Sequence, residues 1–204
     1  MTDFYLIRHA ESTGNTNPHL INGRSNHYPL TEKGFLQARA VGKRLLADGI
    51  KPDLIAASPA IRAQQTAKTI CDELKIPHTR IVTFDDIQEL SQGDWEGKMR
   101  EEVYTADVLE RINADNWNFR APNGESQKEL EERMHSWVSR PHQSKTIIAV
   151  THAMAIKCLL RKLLDSTPKM TLHWQLSNAS ITHIRKTPDT WQIVKVNDHS
   201  HILT

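Results

Sequence analysis

Two short apolar runs, Phe4 to Ile7 and Thr146 to Val150, each stop abruptly at a histidine, and this pairing constrains the fold more than any other feature. Runs of that length suit buried strands rather than helices. A buried strand has no need of Arg8-His9-Ala10-Glu11-Ser12 or Thr151-His152-Ala153 at its end. An α/β enzyme does, because ligands bind beyond the carboxyl ends of parallel strands.

The intervening pattern supports that reading. Thr13 to Pro29 is rich in Asn, Gly, Pro and His, lacks periodicity and reads as a long functional loop. Thr31 is placed to cap a helix running to about Ala47, with Ala38, Val41, Leu45 and Leu46 on one face, and Gly49 ends it. Asp53 to Ala57 is a second short strand, and Ser58-Pro59 predicts the start of a helix reaching Leu74 and carrying Arg62. A strand around residues 80–84 follows. Strand, helix, strand, helix, strand in that order predicts a parallel, doubly wound sheet.

The loop Gln88 to Gly97 is polar and glycine-punctuated, and residues 99–118 are helical but poorly patterned. A turn at Ala121 to Glu125 leads to the capping box Ser126-Gln127-Lys128-Glu129, which opens a helix with Leu130, Met134, Trp137 and Val138 on one face, stopped at Pro141. A helix to about Leu164 follows the second histidine. Segments 177–184 and 191–196 alternate as two closing strands. The expectation is one domain, residues 1–204, with a helical insertion at about 98–141 over the active end of the sheet.

Composition narrows the partners. The net charge is +2 and basic residues are scattered, which argues against a nucleic-acid surface. No run approaches the roughly 18 apolar residues of a membrane span, and no basic, apolar leader opens the chain. Cys71 and Cys158 fall in helical patterns, which fits a reducing cytoplasm rather than a disulfide framework. Asn178-Ala179-Ser180 then reads as a chance sequon. The closing strands leave an edge through which a homodimer could pair.

Arg8, His9, Arg62, Glu89 and His152 thus gather at strand ends and helix starts. Two guanidiniums and two imidazoles converging on one place call for an anion. Arginine's planar fork suits phosphate oxygens. A neutral histidine can attack phosphorus, and a carboxyl group such as Glu89 can protonate the departing alkoxide. This chemistry asks for no metal and no cofactor, since side chains supply the cations. His199 and His201 have the spacing of a strand-borne metal pair, but no thiolate or carboxylate cluster accompanies them. The remaining histidines, His19, His27, His78, His135, His142, His173 and His183, are expected at the surface or internally satisfied.

Leu6-Ile7-Arg8-His9-Ala10-Glu11-Ser12-Thr13 through Asn15 resembles the Arg-His-Gly signature of the histidine phosphatase superfamily, the phosphoglycerate mutase-like fold. Ser58 to Ala67, Glu89 with Gly93 to Gly97, Asn123 to Ser126, Val150 to His152 and Asn197 to Ile202 resemble its later motifs in family order. The resemblance implies a three-layer α/β/α architecture with a mostly parallel central sheet. It implies His9 as the phosphorylated nucleophile, Arg8, Arg62 and His152 as a phosphate clamp, and Glu89 as proton donor. Ser12, Asn15, Gly23 and Ala153 would add substrate contacts. Ala10 and Ala153 stand where the family usually has glycine, and alanine there predicts ordinary backbone angles. The phosphatase branch is favoured, because mutase relatives usually carry Arg-His-Tyr-Gly after the acid, where this chain has Leu90-Ser91-Gln92-Gly93. A phosphoglycerate mutase, or a catalytically weak phosphate-binding regulatory module, is the alternative.

Overall fold

The N-terminal apolar run forms the strand Thr2–Arg8 (β1), which lies parallel to Thr146–Thr151 (β4) with Ile7 opposite Val150 and Arg8 opposite Thr151. The two histidines therefore leave neighbouring strands at the same end. The computed structural model describes residues 1–202. Leu54–Ala57 (β2), Ile81–Thr83 (β3), Ile181–Lys186 (β5) and Trp191–Asp198 (β6) complete one sheet in the order β3-β2-β4-β1-β5-β6. The first four of these neighbours are parallel, and β5 and β6 are antiparallel additions at one edge.

Strand alternation sorts the core into two layers. Phe4, Leu6, Ile147 and Ala149 face Gln127–Ser139 (α5) and Ala153–Leu163 (α6), through Leu130, Met134, Trp137, Ile156 and Leu159. Ile7, Ile148 and Val150 face Glu32–Ala47 (α1) and Ile61–Leu74 (α2), through Ala38, Val41, Leu45, Ala63, Ala67 and Ile70. Helices cover both faces, giving the three-layer α/β/α arrangement. Trp137 is fully buried with its ring edge-on to Phe4 and Phe84, a packing whose truncation to alanine costs about 3–5 kcal/mol. Thr31 caps α1 through the Gly34 N–H, and the Ser126–Glu129 capping box is formed in both directions.

Three boundaries differ from the sequence pattern. The helix α2 begins at Ile61, capped by Ala60, and not at Ser58-Pro59. Ser58 extends the sheet instead, its N–H donating to Val150 O at 3.0 Å. The last strand pair opens at Ile181 rather than Ser177, because Ala179 takes a left-handed φ of 58° and donates its N–H to Arg8 O at 3.0 Å. The stretch 99–118 divides at Tyr104 into Arg100–Val103 (α3) and Ala106–Ala114 (α4); only Val103 of these two helices is buried. Within 98–141, α3 and α4 are thus peripheral, whereas α5 is packed into the core. A short helix, Met170–His173 (α7), precedes the final strands.

Candidate active site

His9 is held from both sides of its own backbone. Its N–H donates to Thr151 O at 2.9 Å, and the next N–H, of Ala10, donates to Thr66 Oγ1 at 3.1 Å. Its ring Nδ1 lies 2.8 Å from Ala10 O. A carbonyl only accepts, so Nδ1 carries the proton and Nε2 presents a lone pair. Arg62 Nε donates to that lone pair at 3.3 Å. Burial, then Arg62 and Arg8, push the His9 pKa well below its ordinary 6.5. The imidazole is neutral, oriented and unprotonated at Nε2.

His152 shares the same guanidinium. Arg62 Nη2 stands 3.3 Å from His152 Nδ1, which must accept, and His152 Nε2 donates to Ser58 Oγ at 2.8 Å. Burial and Arg62 push its pKa well below 6.5 as well. The two rings are 5.1 Å apart. The rest of the Arg62 fork is aimed by loop carbonyls, with Nη1 donating to Ser25 O at 2.5 Å and Nη2 reaching Arg24 O at 3.4 Å and Gly23 O at 3.5 Å. Gly23 itself adopts a φ of +49°, and a Cβ there would come within 2.7 Å of Glu96 Oε1. Arg8 donates from Nη1 to Leu176 O at 2.5 Å, and its buried Nε has no partner.

Glu89 faces this cationic pair. Its Oε2 accepts from Met154 N at 3.3 Å in the first turn of α6, and its Oε1 from Leu90 N at 2.9 Å. Its backbone carbonyl is clamped by Arg133 Nη2 at 2.9 Å and Arg24 Nε at 3.3 Å. Arg133 comes from α5, so that helix fixes the acid loop as well as the core.

Arg8, His9, Ser12, Asn15, Gly23, Arg62 and Glu89 line one cavity of about 160 Å³. His152 is fully buried and does not line it, contacting Arg62 and Ser58 instead. Ala153 lies on an adjacent cleft with Arg8 and Lys157. Ser12 spends its hydroxyl on Asn15 Oδ1 at 3.1 Å. Ala10 and Ala153 are absent from the positive-φ positions, as alanine requires. His199 and His201 follow β6 in a turn, donating to Asn197 O and Ala179 O, and no metal-binding group of three or more such ligands gathers among the described residues.

Several contributors escaped the sequence reading. Tyr28, Asn22 and Gln92 line the cavity. The Glu96 carboxylate accepts the backbone N–H groups of Arg24, Ser25 and Gln92, each at 2.9 Å, and so staples the two site loops together. Asn178, within the apparent sequon, donates to His9 O and Asn15 Oδ1, both at 3.1 Å.

Neighbouring parallel strands that bring His9 to a guanidinium-lined cavity, with His152 buried behind the same guanidinium, define an anion-binding α/β site. The chain belongs to the histidine phosphatase superfamily (branch 1), whose model matches residues 4–199. It is 33% identical over 213 residues to "Probable phosphoglycerate mutase GpmB" of Yersinia pestis, spanning 99% of this chain and 95% of that protein. Among solved structures it is similar to YhfR of Bacillus stearothermophilus, with 29% identity, a TM-score of 0.84, and 98% and 99% of the two chains covered. A mutant phosphoserine phosphatase of Entamoeba histolytica in complex with phosphoserine matches at 25% identity and a TM-score of 0.83, over 100% of both chains. The alpha-ribazole phosphatase of Shigella flexneri, at 23% identity, a TM-score of 0.81 and 97% of each chain, shares the fold.

Proposed function

We propose that the chain is a phosphomonoester hydrolase that acts on a small phosphorylated metabolite through a phosphohistidine on His9. The observation that carries this reading is the unprotonated Nε2 of a neutral, buried His9, held by Ala10 O and flanked by Arg62. The ester's phosphoryl oxygens exchange places with the imidazole lone pair as acceptors for Arg62, and Arg8 neutralises the same group. Nε2 then forms its bond to phosphorus as the P–O bond to the alcohol breaks, and Glu89 in its carboxylic acid form gives its proton to the leaving oxygen. In the second half a water attacks the phosphohistidine, the Glu89 carboxylate takes the water's proton, and the N–P bond breaks to release phosphate. His9 and Glu89 return to their starting states. His152 orients Arg62, and Asn15 donates to a phosphoryl oxygen.

A mutase is the second reading, favoured by the name of the curated relatives. It must retain an acceptor bearing further anionic groups between two transfers. Leu90 and Gln92 line the cavity where mutases usually carry the Arg-His-Tyr-Gly element, and Arg8 and Arg62 are the cationic residues among its described lining. Hydrolysis fits this lining better. Both cysteines are free and buried, with burial pushing the Cys71 thiol up to about 11, which fits the reducing cytoplasm. Among the described residues no helix is long and apolar enough to cross a membrane.

The test is phosphate release from an aryl phosphate by EDTA-treated protein, beside His9→Ala. Release that survives EDTA, with an acid-labile phosphoryl adduct lost in His9→Ala, is expected. No release from any phosphomonoester would overturn the hydrolase, and phosphoglycerate interconversion outpacing release would install the mutase.

A further inference from the structure

Beside Glu89 the phosphate cavity adjoins a second hollow of about 210 Å³, and Leu90 and Gln92 line both. Its walls include Trp95, Tyr104, Leu109 and Phe119, with the Trp95 ring 6.0 Å from that of Tyr104 and 5.7 Å from that of Phe119. Two of its polar side chains, Glu125 and Gln127, are engaged within the protein. The Glu125 carboxylate is held by Arg133 at 2.7 and 2.8 Å and by Arg24 at 3.1 Å. Gln127 Oε1 accepts from Thr171 Oγ1 at 2.8 Å. Asn116 also lines the hollow, and its buried Nδ2 has no hydrogen-bond partner. No lysine or arginine lines the hollow among the described residues.

We propose that this hollow receives the alcohol half of the substrate, and that this half is a bulky, uncharged aromatic or heteroaromatic alcohol. The proposal rests on the hydrolase reading and names the substrate class of that same site. The location follows from Glu89, which must stand beside the leaving oxygen, so the alcohol extends past Leu90 and Gln92. The class follows from the lining. A short carboxylated alcohol, as in phosphoserine or phosphoglycerate, would place its charge beside Glu125 against a lining that carries no cation of its own, Arg100 and Arg111 lying over the Tyr104 and Phe119 rings instead. An aromatic ring instead gains apolar burial and edge contacts with Trp95 and Phe119.

A competing cationic cleft, lined by Arg8 and Lys157, lies on the Ala153 side and would suit a carboxylated substrate. The experiment separates the two. Phosphate release is measured for 2-naphthylmethyl phosphate, ethyl phosphate, phosphoserine and 3-phosphoglycerate, all esters of alkyl alcohols, so that leaving-group chemistry does not decide the ranking. The naphthylmethyl ester is expected to exceed each of the others in kcat/KM by about tenfold or more. Phe119→Ala and Leu109→Lys are expected to cut its advantage over ethyl phosphate by about tenfold; Leu109 is 43% exposed, so the added charge leaves the fold intact. A preference for the carboxylated esters that Lys157→Ala abolishes would overturn the proposal, as would equal rates for all four that neither hollow variant alters. Absence of release from every ester sinks the hydrolase reading instead. The hollow is then judged by binding, with 2-naphthylmethylphosphonate expected to bind about tenfold tighter than ethylphosphonate and equal binding overturning it.

Discussion

Arg62 Nε donates to His9 Nε2 across 3.3 Å, so the lone pair of the proposed nucleophile is held by the same guanidinium proposed to grip the phosphate. A phosphoryl oxygen is a charged and therefore stronger acceptor than a neutral imidazole nitrogen. In the proposed reaction, phosphate arrival thus draws the guanidinium away and frees Nε2 in the same event.

This shared use makes Arg62 intolerant of conservative exchange. Lysine keeps a positive charge but has no planar fork to span His9, His152 and the carbonyl of Ser25. Arg62→Lys is expected to lower kcat by roughly 10²–10³ while retaining the folded structure. Steady-state kinetics beside a circular dichroism spectrum checks it, and near-native kcat would contradict the division of labour proposed for the fork.

The pH dependence follows from two depressed imidazoles. His9 and His152 titrate well below 6.5 in the folded protein, through burial and the Arg62 charge, whereas unfolded histidines titrate near 6.5. The unfolded chain therefore binds protons first as pH falls. Stability is complete above about 6.5 and is lost as pH drops from there toward the lower folded-state values, by at most about 1.4 kcal/mol per pH unit for each histidine. Denaturant midpoints at pH 7 and pH 5 should show this loss, and His152→Asn should lessen its slope. The same depression keeps His9 neutral below pH 6.5, so the acid limb of kcat/KM should not fall at an ordinary histidine pKa.

Both histidine-bearing strands were readable because each is a short continuous apolar run, Phe4 to Ile7 and Thr146 to Val150, that ends at a polar cluster. The capping box at Ser126 was equally local. What could not be read depends on distant partners. Ser58-Pro59 carries a strong helix-start pattern, yet Ser58 is recruited by Val150 of a strand far along the chain. Ala179 breaks the alternation of the last strand pair because its N–H serves Arg8 O and His9 O. Arg133, Glu96 and Asn178 are single polar residues with no periodic signature. Their roles exist only once residues separated by as many as 169 positions, as with His9 and Asn178, are brought together.

Glu96 gives a test of that hidden layer. Its oxygens serve Arg24 N and Gln92 N on one side and Ser25 N on the other, each at 2.9 Å. Glutamine at this position can satisfy one side only, leaving backbone donors facing an amide NH₂. Glu96→Gln is expected to cost about 1–3 kcal/mol in urea denaturation. It should also raise KM, because residues 23–25 carry the carbonyls that aim Arg62. Unchanged stability and KM together would show that the staple is dispensable.

Asn15 offers the sharpest separation of binding from folding. Its Oδ1 accepts from Ser12 N, Ser12 Oγ and Asn178 Nδ2, all at 3.1 Å, so the amide orientation is set and Nδ2 remains a donor on the cavity wall. Asn15→Asp preserves all three incoming bonds and replaces that donor with a second carboxylate oxygen. The new charge opposes a phosphate dianion in a largely desolvated site, a juxtaposition costing several kcal/mol. A fall in kcat/KM of about 100-fold or more is expected with an unchanged thermal midpoint. Asn15→Ala should behave differently, lowering the midpoint as well, because Ser12 and Asn178 lose their common acceptor. If Asn15→Asp destabilises the fold as much as Asn15→Ala does, or leaves phosphate binding untouched, the donor assigned to Nδ2 does not face the substrate.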